Sequence, residues 1–313
     1  MRFLSSFNRF AGKWMPAIVI LSLCTGVYFS DRLGALIVTV PYVFAFMTFS
    51  GSLNSGFRQI LGIAKHPLPL AGTFLAAHIV LPLLALGLGN LLFPGNPDLI
   101  TGIVLEFSVP CAVVSVMWSD MNHGNASLTL SILLADTLLA PLVVPLSLRL
   151  LVGSSVQVDT WSIMRDLVWM IALPALISML LNQFTEGRAG KEFSPKLAPF
   201  GKMALIYIIT INSTRVAPYL KHMTPTLFGV AATILAIAAT GYAIGWITAA
   251  LMRQGREETV SMTFGSGMRN ISAGAVLAAT YFPAEVMFPV MIGTLFQQLL
   301  ASLFSKMLKK RYN

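Results

Sequence analysis

The chain has 313 residues, of which 56% are hydrophobic and 11% charged, against roughly 25% charged residues in an ordinary soluble domain. A mean hydropathy of +0.77 over the whole length excludes a globular enzyme with a single anchor, and it excludes a disordered or fibrous chain. The formal charge of +9 does not indicate a nucleic-acid partner, because the basic residues lie between apolar runs instead of forming a patch with interleaved aromatics.

Arg2, Arg9 and Lys13 precede an apolar run from Met15 to Ser30. This is the layout of a signal peptide without a small-x-small cleavage site, so the segment is read as a retained first transmembrane helix. At about 20 apolar residues per span, the candidates are 13–30, 34–52, 68–94, 99–119, 125–152, 163–182, 196–219, 224–252, 258–281 and 284–308. That is an all-α integral membrane protein of ten helices. The clearest polar breaks fall at 56–66 and 183–196, whereas Phe282 and Pro283 barely separate the last two spans. Cys24 and Cys111 sit inside apolar stretches and read as small hydrophobes, not as a disulfide or a thiolate metal site.

Cytoplasmic connections carry the excess of Lys and Arg. With the N-terminus inside, the inside set is Arg2, Arg9, Lys13, Arg58, Lys65, Arg188, Lys191, Lys196, Lys202, Arg253, Arg256, Lys306, Lys309, Lys310 and Arg311, and the outside set is Arg32, Arg149, Arg165, Arg215 and Lys221. The ratio of 15 to 5, with Arg269 inside a span, places both termini in the cytoplasm and favours an even number of spans.

The fourth and ninth spans are poor continuous helices. Pro110 interrupts the run from Ile103 to Met117, with Ser115, Ser119, Asp120, Asn122 and His123 close behind. In the ninth, Gly265-Ser266-Gly267-Met268-Arg269-Asn270 interrupts an apolar segment. Such backbone is tolerated at membrane depth only where protein or a water-filled cavity surrounds it. The breaks lie about 155 residues apart, as a five-plus-five duplication with inverted halves would place them, and paired interruptions of this kind point to a transport site near the bilayer midplane. The plainer alternative is a tolerated membrane proline and a glycine packing surface.

Arg269 costs about 2.5–3.5 kcal/mol or more at a helix centre, so it requires a partner or an aqueous cavity. The available acids are Glu106 in the fourth span and Asp136 in the fifth. The choice is between a structural ion pair and a fixed positive charge that receives an anion or replaces a coupling cation. His78 is either a proton relay or a hydrogen-bonded core residue. Gln297 and Gln298 face a cavity or bond a neighbouring helix. Asn212-Ser213-Thr214 matches a glycosylation pattern only formally and reads as polar lining or a helix terminus, and the sixteen methionines read as packing. No His-Glu-x-x-His, Gly-x-Ser-x-Gly or phosphate-cradling loop occurs.

Gly267-Met268-Arg269-Asn270 followed by Ser272-Ala273-Gly274-Ala275, Ser115 after Pro110, and Ala76-Ala77-His78-Ile79-Val80-Leu81-Pro82 resemble the bile acid:sodium symporter family over about residues 13–308. The resemblance implies two inverted five-helix repeats with broken helices 4 and 9 crossing at the substrate. It implies a panel domain from 13–67 and 163–219 and a core domain from 68–152 and 224–308. In sodium-coupled members a Glu three residues before the Met ligates both sodium ions and a Gln follows the Met. Gly265 and Arg269 stand at those places here, Ser115-Val116 replaces a Ser-Asn pair, Ala77 replaces a Gln, and Thr129 and Leu133 replace the polar pair of the fifth helix.

Sodium is a hard cation that gains greatly from a carboxylate in a low-dielectric site, so these departures remove most of its ligands. The expectation is a secondary active or facilitative transporter of a small organic anion in the bacterial inner membrane. Asn270, Arg269, Ser115, Val113 and Met268 are its substrate-side residues. Ser115, Thr129, Ser266, Met268, Asp136, Glu106 and His78 are candidates for a coupling ion, sodium or a proton. No enzyme activity, cofactor, certain metal, nucleic acid or obligate protein partner is expected. The alternatives are a sodium symporter with a modified cation site and, from another class, a membrane sensor without transport.

Overall fold

The computed structural model describes residues 2–53, 55–56 and 67–312. Most of the polar break expected at 56–66, including Arg58 and Lys65, lies outside the described residues. We number the helices α1 (Arg2–Tyr28), α2 (Ser30–Ser52), α3 (Pro67–Leu92), α4 (Pro97–Ser108), α5 (Val114–Met121), α6 (Ala126–Val152), α7 (Thr160–Phe184), α8 (Arg188–Glu192), α9 (Ser194–Lys221), α10 (Pro225–Leu251), α11 (Arg256–Gly267), α12 (Ile271–Tyr281) and α13 (Ala284–Tyr312). Six of them, α2, α3, α6, α7, α10 and α13, are long and apolar enough to cross a membrane. Among the described residues there is no strand, and an isolated backbone bridge joins Cys111 to Arg269. Leu91, Leu150, Phe184 and Leu251 are among many large apolar side chains left exposed; lipid is the solvent that suits them. The result is a helical integral membrane protein.

Local chemistry sets the helix ends. The side chains of Asn125, Asp159 and Thr224 accept from the backbone N–H groups of Leu128, Ser162 and Leu227 at 3.0, 3.1 and 3.3 Å, which satisfies donors that each first turn leaves unpaired. Two π-helical turns, Ala76–Val80 and Val168–Ala172, precede Pro82 and Pro174. A proline ring clashes with the carbonyl four residues back, here that of His78 or Met170. The wider turn accommodates it without ending the helix. Phe282 and Pro283 do separate the last two helices, since α12 ends at Tyr281 and α13 begins at Ala284.

Two sets of helices pack among themselves. In one, α9 lies against α1 and α2, and α2 against α7; in the other, α4 lies against α3, α6 and α13, and α10 against α11 and α13. The sets meet where α6 packs on α7 and α13 on α9. Residues Leu99–Ser108 of α4 and Thr259–Gly267 of α11 are all buried, so these two short helices run through the interior.

The ninth-span break is narrower than expected. Gly265, Ser266 and Gly267 remain helical, and only Met268, Arg269 and Asn270 leave the helix. The glycines serve close packing, as in the plainer alternative. A Cβ on Gly267 would lie 2.3 Å from the Tyr242 ring, and one on Gly265 would meet Ile132 of α6 at 3.2 Å and Thr73 of α3 at 3.3 Å. Gly267→Ala should therefore destabilise the protein by about 1–3 kcal/mol, the cost of overpacking. Gly87→Ala, at an exposed position with nothing within 4 Å, should be neutral or slightly stabilising through helix propensity. Thermal unfolding of both variants in the same detergent checks the contrast, and equal melting temperatures would contradict it.

Candidate functional site: the crossing of two interrupted helices

The first break follows from Pro110. The residue before a proline is pushed out of the helical region, and Val109 adopts φ −67, ψ 156, ending α4. In the second break Met268 is extended, with φ −104 and ψ 124. The two extended segments pair with each other. Ala112 N donates to Met268 O at 3.1 Å and Asn270 N donates to Pro110 O at 2.7 Å, giving partners to backbone groups that lipid would leave unsatisfied. Four helix ends converge there. The C-terminal ends of α4 and α11 present partial negative charge, and the N-terminal ends of α5 and α12 partial positive charge. Asn270 caps α12 through its side-chain oxygen, which accepts from Ala273 N at 3.3 Å. Its amide NH₂ has no hydrogen-bond partner among the described residues.

Arg269 is 2% exposed. Its Nη2 donates to Gly265 O and Ser266 O, both at 2.8 Å, and Nη1 donates to Val109 O at 3.3 Å. The guanidinium thus sits on the last carbonyls of α11 and the first beyond α4, where helix C-termini lack partners. Its backbone N donates to Gln297 Oε1 at 2.9 Å, and Nε is buried without a partner. Of the two readings left open for Arg269, the structural ion pair with Glu106 or Asp136 does not form. Among the described residues the acid–base contacts are His78–Asp136, an ion pair only when the imidazole is protonated, and Arg165–Asp166, and main-chain carbonyls hold Arg269.

Asp136 instead ties α3 and α6 to the first break. Its Oδ1 lies 2.7 Å from His78 Nε2, and its Oδ2 accepts from Cys111 N at 2.7 Å. His78 Nδ1 is buried without a partner. Ser115 is fully buried, with Oγ 3.2 Å from Cys111 Sγ. Met268 is fully buried, and Ser266 Oγ is buried and unpartnered. Glu106 stands apart: its carboxylate packs against Gly293 of α13, and Oε2 has no partner. Gln298 accepts from Trp118 Nε1 at 2.9 Å, so both glutamines bond neighbouring elements. Asn212 lies buried inside α9 with neither amide atom partnered.

Val113 and Thr129 open onto a cavity of about 330 Å³, also lined by Met117, Ser119, Asp120 and Leu130. It lies on the α2 side of the crossing, since a Cβ on Gly51 would meet Val113 Cγ1 at 3.9 Å. Thr129 Oγ1 is 2.8 Å from both Ser119 Oγ and Ser261 Oγ and 2.9 Å from Asn125 O. A larger cavity of about 570 Å³, between Arg149 of α6 and Trp161 and Met164 of α7, touches none of these residues. Neither cavity is lined by Arg269. No group of three or more His, Cys, Asp and Glu side chains among the described residues is placed to hold a metal ion. Ser119 and Ser261 were missing from the sequence-derived site. Serines are common, and only the approach of α5, α6 and α11 singles these two out.

Two interrupted helices whose ends meet in the interior of a helical membrane protein are a framework that secondary transporters share. The family model of the sodium bile acid symporter family matches residues 41–223, and the chain belongs to that family, a family of transporters and not of enzymes. It is 45% identical over 296 residues to the uncharacterized protein YbaS of Bacillus subtilis, spanning 95% of this chain and 97% of that protein. The uncharacterized sodium-dependent transporter YocS of Bacillus subtilis is 21% identical over 316 residues, 99% of this chain and 97% of the relative. The arsenical-resistance protein Acr3 of Corynebacterium glutamicum is 23% identical over 230 residues, 64% of this chain and 62% of the relative.

The cap on α12 is testable. Asn270→Ala should cost about 1 kcal/mol of stability, as loss of an N-cap does, whereas Asn270→Asp should retain most of it. Chemical unfolding of both variants measures this. Equal losses would show that the amide NH₂, and not the cap, carries the contribution of Asn270.

Proposed function

We propose that this chain moves a small organic anion across the bacterial inner membrane by alternating access, and that Arg269 takes the place of a coupling sodium ion. On this reading ten spans form two inverted five-helix repeats, with both termini cytoplasmic. The set of α1, α2, α7 and α9 is the panel, and α3–α6 with α10–α13 is the core. The packing of the two helix sets and the paired breaks support this arrangement. So does an asymmetry between the ends: the cavity at Val113 lies beside Gly51 on one side. On the other, Tyr281 Oη of the core donates to Asp166 Oδ2 of the panel at 2.5 Å. The anion would lie beside the N-terminal ends of α5 and α12, within reach of the Asn270 NH₂ group and Val113. Arg269 would then act through its charge from behind the crossing, with Ser115 and Met268 as buried support.

One observation carries the sodium argument. A sodium ion needs several oxygen ligands, and the carbonyls best placed at the crossing, those of Val109, Gly265 and Ser266, already accept from the guanidinium. The donor set does not fit sodium there. The competing reading, a sodium symporter with a modified cation site, draws on relatives named as sodium-dependent, YocS among them. It also draws on the hydroxyls of Ser119, Thr129 and Ser261.

Uptake into proteoliposomes separates the two. Radiolabelled pyruvate, pantoate and cholate are presented in sodium or in choline, at fixed pH and membrane potential. The expected result is uptake of at least one of these anions at equal rates in both. A saturable sodium requirement would overturn the proposal in favour of the modified sodium site. Uptake of none, with sodium or without, would favour a sensor.

A further inference from the structure

Arg269 supplies one fixed positive charge, but Asp136 beside the same crossing supplies a negative one. With a neutral imidazole on His78 the two cancel, and an anion entering between α5 and α12 would leave the region one charge negative. Charge imbalance is costly in a low-dielectric interior. A single proton held at the crossing restores neutrality. Resting on the anion-transport reading above, we propose that His78 and Asp136 form a proton-binding site that loads together with the substrate anion, one proton for one anion.

Three features of the geometry argue for this pair. His78 Nε2 is held by Asp136 Oδ1 at 2.7 Å, which leaves Nδ1 as the atom that gains the proton, and Nδ1 is buried without any partner. The other carboxylate oxygen accepts from Cys111 N at 2.7 Å. Cys111 is the residue bridged to Arg269, so a change of charge on the pair reaches the crossing through one peptide group. His78 also lies within the π turn that Pro82 imposes on α3. Such turns are marginally stable and recur at functional positions. The step itself is a proton transfer: hydronium on one side gives a proton to Nδ1 and leaves water, and water on the other side carries it off as hydronium after the core has moved. No electrons change hands.

Glu106 and the Cys111 thiol also lie within reach of the Arg269 charge, and of these groups the His78–Asp136 pair is the one hydrogen-bonded to the first break through a carboxylate. Of the elements packed against α6 here, α3 brings His78 and the first break brings the Cys111 thiol. The second break brings Arg269, whose charge reaches Asp136. Glu106 of α4 faces Gly293 and makes no contact with the pair. Asp120 lies near the end of α5, Arg256, Glu257 and Glu258 in the first turn of α11, and Arg165 and Asp166 in the first two turns of α7.

The test needs no knowledge of the substrate. Histidine-¹⁵N-labelled protein in nanodiscs is titrated by NMR, with the His78 signals identified by their loss in His78→Gln. In parallel, alkylation of Val113→Cys is followed against pH in a background with Cys24 and Cys111 replaced by alanine. The expected result is a single protonation step at His78 Nδ1. Divided by the rate of an exposed reference cysteine, which removes the thiol's own pH dependence, the alkylation rate should change about threefold or more over the same step, as the crossing shifts between two states. His78→Gln should leave alkylation with only the pH dependence of the thiol itself, as the reference cysteine shows it, and Asp136→Asn should alter the His78 step. Should Asp136→Asn not fold, His78→Gln, which keeps a donor to Asp136, decides alone. A His78 signal that stays in one protonation state throughout, or a reference-corrected alkylation rate that still changes with pH in His78→Gln, would overturn the proposal. A coupled titration in a protein that transports none of the tested anions would leave the proton site standing and remove the anion reading.

Discussion

Backbone hydrogen bonding governs this structure. A helix interrupted in the middle of a bilayer frees N–H and C=O groups that lipid cannot satisfy, and each costs several kcal/mol if left bare. Two interruptions placed back to back solve much of the problem by pairing with each other, through Ala112 N to Met268 O and Asn270 N to Pro110 O. What remains are the carbonyls at the ends of α4 and α11. The guanidinium of Arg269 takes three of these, with donors spread over a planar fork that a single ammonium group lacks.

Other features depend on that arrangement. For the carbonyls to converge, α11 must run close to α10 and α6, which is why Gly267 lies under the Tyr242 ring and Gly265 against Ile132. With the negative helix ends occupied by a fixed cation, the positive ends of α5 and α12 are the ends that the proposed anion would meet. A buried Asp136 that makes no ion pair with that guanidinium needs partners of its own, and His78 and Cys111 N supply them. On the proposed reading, packing, substrate charge and a place for a proton all follow from one side chain.

Much of this was legible in the sequence, because apolar runs, Pro110 and the cluster from Gly265 to Asn270 are local signals. They placed the interruptions and marked Arg269, Asn270, Asp136 and His78 as residues needing an explanation. Partners were harder to read. An arginine among intramembrane acids suggests an ion pair, yet main-chain carbonyls hold it, and carbonyls leave no trace in sequence. The His78–Asp136 contact joins helices 58 residues apart, and the Ser261 hydroxyl meets Thr129 across 132. Only the packing of α3, α5, α6 and α11 creates these pairs. The glycines misled in a specific way: Gly265 and Gly267 suggested a broken backbone, whereas they remain helical and their missing side chains admit Ile132 and Tyr242.

The central claim is that a covalently attached cation holds the crossing together where a free ion would otherwise be needed. Thermal unfolding of Arg269→Ala in choline buffer, with and without added guanidinium ion at concentrations well below denaturing, tests it most directly. The claim predicts a large loss of stability, on the order of 1–3 kcal/mol for each carbonyl left unpaired, and partial recovery when guanidinium fills the vacated space. An alanine variant as stable as the wild type and indifferent to guanidinium would contradict it.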